Sequence, residues 1–238
     1  MVNRNFLLIL AANVLLGAAL PMLIILGSLV GAWMAPQEWL ATALPSVQMV
    51  TGIVVAGPIS LFMGRFGRRA GFLVGAATVV LGGALAIYAV HSNSFALLCV
   101  AHAGMGASLI CFNFFRFAAS EAVPPHFRSQ ASSLTLASGL VAALIGPEVF
   151  AVSKDAFAPL PLAGAYAGII GLGLLGAVPV LGLAMPVPKI DKSKAAPVSV
   201  KEVILSRPRV LVAILIAGLS QAVMVLLMTP TPLAMVGC

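Results

Sequence analysis

The chain has 238 residues, 61% of them hydrophobic and 8% charged, with 13 Lys and Arg against 6 Asp and Glu for a net charge of +7. Its mean hydropathy is +1.14. An ordinary soluble domain carries about 25% charged residues, so this composition excludes one and predicts an all-α polytopic membrane protein. The positive charge does not point to nucleic acid, because the basic residues stand in short loops between apolar runs, where they encode orientation rather than grip phosphate. Cys99, Cys111 and Cys238 show no metal-ligand spacing, and no metal, disulfide or cofactor is implied.

The first apolar run, residues 6–34, is longer than a signal-peptide core and reads as an uncleaved first span. Residues 39–63, 70–90 and 95–115 contain no Asp, Glu, Lys or Arg, and each meets the roughly 20 residues that a helix needs to cross hydrocarbon. Between the second and third lies Ser60-Leu61-Phe62-Met63-Gly64-Arg65-Phe66-Gly67-Arg68-Arg69, three arginines and two glycines in one short turn. A fifth span is predicted over 131–152, a sixth over 162–185 and a seventh over 210–228.

Arg4, Arg65, Arg68, Arg69, Arg128, Lys189, Lys192, Lys194, Lys201, Arg207 and Arg209 all fall on one side of such an arrangement, and Lys154 alone in the opposite loops. By the positive-inside rule the N-terminus and the arginine turn are cytoplasmic, as in a multi-pass protein of the inner (cell) membrane. The stretch 186–208, rich in proline and lysine, has the composition of a linker. Within it, residues 199–205 mix charge and apolar groups at helical spacing, which fits either a short interfacial helix or a disordered tether. The domain reading is a six-helix bundle over 1–185, a cytoplasmic linker over 186–208 and a seventh helix within 209–238. One helix beyond a linker has little to pack against, so the chain is expected to be a fragment of a longer protein or to need a second chain.

On these residues the chain resembles the N-terminal half of a major facilitator superfamily transporter, with the start of the second half attached. The family's turn between helices 2 and 3 reads G-x-x-x-D-R-x-G-R-R. Arg65, Gly67, Arg68 and Arg69 match it, while Ser60 and Gly64 replace the first glycine and the aspartate. The resemblance implies a gating role for Gly64, Arg65, Gly67, Arg68 and Arg69, without a charge relay through position 64. Ala142 and Gly146-Pro147 in the fifth span are similar to the G-x-x-x-G-P-x-x-G-G motif of antiporter branches, with Phe150 and Ala151 in place of the last two glycines. Phe115-Arg116-Phe117-Ala118-Ala119-Ser120-Glu121 looks like the end of helix 4 in some bacterial members.

The family's cavity is lined by helices 1, 4 and 7 of those present, which directs attention to polar residues there. Asn13, Asn113, Arg116 and Gln221 are the candidate cavity residues, with His102, Ser108 and Ser220 on the same helices. Asn113 and Arg116, three apart, share a helix face and offer an amide and a guanidinium to an anionic or polar solute, unless Arg116 snorkels to the cytoplasmic surface. Glu148 is the one acid inside a predicted span and so the candidate for proton coupling, unless it has reached the opposite interface. Asn13 and Gln221 read equally as hydrogen-bond partners between helices, while His102 could shuttle protons but reads first as bonded to a neighbouring carbonyl or serine.

The implied activity is secondary transport of a small solute by alternating access, with proton antiport as the coupling. The partners are the solute, a proton, the lipid bilayer and a missing C-terminal half or second chain. An enzyme is not expected. Gly106-Ala107-Ser108 is followed by Leu109 rather than the glycine of an intramembrane serine protease, and no phosphate-binding Gly-x-x-x-x-Gly-Lys loop is present.

Overall fold

The structure, a computed structural model, describes residues 3–185 and 208–228. Its helices are α1 (Arg4–Gly17), α2 (Ala19–Met34), α3 (Ala43–Phe66), α4 (Arg68–His91), α5 (Phe95–Asn113), α6 (Phe115–Glu121), α7 (Arg128–Ser153), α8 (Ala163–Leu181) and α9 (Pro208–Met228). No strand occurs among the described residues. Two compact units are present, Met1–Val187 and Pro188–Cys238.

The first unit holds six helical segments long and apolar enough to cross a membrane: Arg4–Met34, Ala43–Phe66, Arg68–His91, Phe95–Glu121, Pro125–Ser153 and Ala163–Leu181. All six correspond to apolar runs in the sequence. In the second unit α9 is a helix of 21 residues that contains the run 210–228, free of acid and base and predicted as the seventh span. The predicted linker lies outside the described residues up to position 207, including the possible interfacial helix at 199–205.

Two of the spans are interrupted where hydropathy alone shows continuous runs. The first breaks at Ala18, because Pro21 has no N–H to return to the carbonyl of Gly17 and its ring crowds that carbonyl. The fourth breaks at Phe114, whose N–H turns back to Cys111 rather than continuing the α-helical ladder. Here no proline intervenes. Phe115 is instead fully buried and stacks on Phe72 of α4 with ring centroids 4.1 Å apart.

In the bundle, α4 packs along α5 and α8, α3 lies on α5, and α1 sits between α7 and α8. Phe6, Leu16, Met22, Met63, Phe72, Met105 and Ile169 belong to one continuous buried core. Val50, Ile53, Val54 and Leu61 of α3 and Leu136, Leu140 and Leu144 of α7 are exposed. These two spans are the least covered, with 22% and 17% of their apolar windows buried, against 50% for α8.

The turn from α3 to α4 consists of Gly67 alone, at φ 90° and ψ 161°. That backbone region is essentially closed to residues with a Cβ, so glycine is what allows α3 to stop at Phe66 and α4 to start at Arg68.

Candidate functional site

At the arginine-bearing end of the bundle, Arg68 grips Glu121 in a two-point ion pair. Its Nη2 lies 2.7 Å from Oε1 and its Nε donates to Oε2 at 3.1 Å. The guanidinium also stands 5.5 Å from the centroid of the Phe114 ring. Arg68 is the first residue of α4 and Glu121 the last of α6, so each charge opposes its own helix dipole and is compensated by the other. This joins the third span to the end of the fourth.

The other arginines of the turn are exposed, with Arg65 over the ring of Phe66 at 5.4 Å. Gly64 is half-buried, and no atom lies within 4 Å of the place a Cβ would occupy. Packing does not therefore dictate the absence of aspartate from that position.

In α7, Ala142 and Gly146 are one helical turn apart and both buried. They face the kink of the first span. A Cβ at Gly146 would meet Pro21 Cγ at 2.5 Å and the Ala18 carbonyl oxygen at 2.6 Å. The small residues of this motif thus seat α7 on the α1–α2 break. Pro147 and Glu148 are exposed, Glu148 five residues before the end of α7. No ion pair or hydrogen bond to Glu148 occurs among the described residues.

Asn13 donates through its amide nitrogen to the Thr135 carbonyl at 3.0 Å and to Ser138 Oγ at 2.9 Å, tying α1 to α7. Asn113 closes α5 and Arg116 belongs to α6, both exposed, with the Phe114 break between them. They do not lie on one continuous helix, which removes the simple three-residue spacing argument for a shared face. Arg116 lies over the ring of Phe117 at 4.9 Å, and its carbonyl accepts a hydrogen bond from Ser132 Oγ at 3.4 Å. Ser220 and Gln221 are exposed residues of α9, in the second unit.

One fully buried polar group was visible in the sequence only as a lone histidine. His102 of α5 is fully buried, with Nδ1 against Gln48 Nε2 of α3 and Nε2 2.8 Å from the Tyr166 hydroxyl of α8. Gln48 and Tyr166 are themselves 3% and 0% exposed. One imidazole thus bridges the second, fourth and sixth spans. Depth was the available signal: Gln48, His102 and Tyr166 stand five, seven and three residues inside helices that begin at Ala43, Phe95 and Ala163, at the end opposite the arginine turn. Polar side chains at one depth in neighbouring spans find one another because hydrocarbon offers no other partner.

Ser108 bonds within its own helix, Oγ to the Met105 carbonyl. A hollow of about 630 Å³ opens at the His91 end of α4, lined mainly by apolar groups including Ile87, Phe157 and Leu160, with Tyr88 and His91 at its edge. No cluster of His, Cys, Asp and Glu suited to a metal ion occurs among the described residues.

No family model and no solved structure matches the chain. Two relatives do. The chain is 31% identical over 242 residues to "Riboflavin transporter RfnT" of Brucella anthropi, a match covering 99% of this chain and 59% of that protein. It is 31% identical over 238 residues to "Uncharacterized MFS-type transporter YddS" of Bacillus subtilis, covering 92% of this chain and 53% of that protein. The chain therefore spans between half and three-fifths of the length of the relatives it matches. Similarity that runs along 92–99% of a chain whose first unit holds six membrane-length helical segments shows that the protein belongs to the major facilitator superfamily, and the six-span bundle is consistent with the N-terminal half of such a transporter.

Proposed function

We propose that this chain is the N-terminal part of a secondary carrier that moves a small organic solute by alternating access, and that the solute is a flavin of the riboflavin class. The similarity to a riboflavin transporter over 99% of the chain carries this reading. The sparsely covered faces of α3 and α7 support a second bundle, from the same polypeptide or another, as the partner that completes the carrier.

The test is uptake of labelled riboflavin by a riboflavin-requiring bacterium that expresses the full-length protein. The expected result is saturable uptake that restores growth at low external riboflavin. Residues 1–238 alone are expected to support none, since a midplane site between two bundles needs both. Absence of riboflavin uptake by a full-length protein shown to be in the membrane overturns the flavin assignment.

Proton antiport is the coupling proposed, with the N-terminus and the arginine turn in the cytoplasm of a cell bounded by this inner membrane. Glu148 is the proton-binding candidate, because a carboxylate inside a span is costly unless it has work to do. Glu148→Gln in the full-length carrier is expected to abolish the dependence of flux on an imposed pH gradient, while flux down a solute gradient persists. An unaltered pH dependence removes Glu148 from the mechanism.

A further inference from the structure

Three consecutive residues at the start of the first span reach the ends of two other spans. Asn3 uses both ends of its amide. Oδ1 accepts from the Phe6 N–H at 2.8 Å and so caps α1, while Nδ2 donates at 2.6 Å to the carbonyl of Ala122, the residue that caps α6. Arg4 Nη2 lies 3.5 Å from the carbonyl of Gly182, the cap of α8. Asn5 closes a two-bond ring with the backbone of Ala184, donating from Nδ2 to its carbonyl at 2.9 Å and accepting from its N–H at 3.2 Å.

A helix leaves its last four carbonyls without partners in the ladder, and those of α6 and α8 point toward the same end of the bundle. Donors brought by Asn3, Arg4 and Asn5 meet three carbonyls in this region, and the cationic Arg4 also suits the negative end of α8. Ala122 is joined to Glu121, which holds Arg68 of α4. The starts of α1 and α4 and the ends of α6 and α8 are thereby linked through five side chains.

We infer that Asn3, Arg4 and Asn5 form a fixed clasp, one that pins the chain at Ala184 where it leaves the sixth span and makes the arginine-bearing end of the bundle a single rigid plate. The clasp stays closed while the bundle moves, so the polypeptide beyond Ala184 departs from a constant point instead of peeling back along α8. The identity of the transported solute plays no part in this.

Hydrogen exchange read by mass spectrometry on the full-length protein in lipid nanodiscs tests it. Asn5→Ala removes both halves of the ring and is expected to speed exchange in the peptide carrying Ala184 by about tenfold. Asn5→Asp keeps the acceptor for the Ala184 amide and is expected to leave that exchange within about twofold of the parent. Unchanged exchange in Asn5→Ala, or equal acceleration in both variants, overturns the clasp. Exchange in the same peptide of the parent protein separates a fixed clasp from a strap that opens. Equal rates with and without riboflavin are expected. A rate that changes when riboflavin is added overturns the inference. Both readouts are independent of transport, so a failed riboflavin assay leaves this result standing, and the reverse.

Discussion

Gly106→Ala is expected to destabilise the bundle by about 2 kcal/mol, although it adds a single carbon to a helix interior where alanine is ordinarily favoured. A Cβ at this position would lie 2.5 Å from the carbonyl oxygen of Gln48 and 2.6 Å from its Cα. Both are backbone atoms, with no rotamer by which to retreat, so α3 must move off α5. That displacement also pulls Gln48 from His102, leaving a buried imidazole nitrogen without its partner. An unsatisfied buried polar group costs about 1–3 kcal/mol by itself. Gly104, two residues earlier in the same helix, supplies the control, since nothing lies within 4 Å of a Cβ built there. Gly104→Ala is expected to be neutral or stabilising by up to about 1 kcal/mol. Thermal unfolding of the two purified variants in one detergent makes the comparison, and equal midpoints would show that α3 and α5 do not meet at Gly106.

Reversing one charge of the Arg68–Glu121 pair is expected to have the largest effect at the other end of the bundle. Glu121→Lys sets a second cation against Arg68, removing a bidentate pair and adding repulsion. With side chains 20% and 43% exposed, the pair is partly solvated, and its contribution to stability is about 1 kcal/mol. The exchange Arg68→Glu with Glu121→Arg is more informative. It retains a pair and aligns both charges with the helix dipoles that the present arrangement opposes, placing an acid at the start of α4 and a base at the end of α6. The exchanged protein is expected to be at least as stable as the parent. If the turn has a gating role, flux in the full-length exchanged carrier falls by about tenfold while stability does not, because the position of the charges and not only their pairing matters. Parental flux in the exchanged carrier would reduce Arg68 and Glu121 to a structural tie.

Much of the fold was legible in the sequence because each span announces its own solvent. A run such as 70–90, without a single acid or base, determines by its own composition that it belongs in hydrocarbon as helix, whatever it packs against. The turn at Gly67 was equally local, since one glycine between two apolar runs suffices to allow the reversal. The arginines could be seen to need acidic or helix-end partners, but nothing local singled out Glu121, 53 residues from Arg68.

The sequence by itself determined which segments are helices, their order and the concentration of positive charge in alternate loops. Only the tertiary structure decided that the fourth span breaks at Phe114, so that Asn113 and Arg116 fall on separate helices, and that Glu148 lies exposed on α7 while Ala142 and Gly146 turn inward. It also decided that Gln48, His102 and Tyr166 meet. Hydropathy is a sum over neighbours in the chain, and it survives any rotation of a helix about its axis. Which side chains touch depends on that rotation and on the relative depth of spans tens of residues apart, both of which are set by packing.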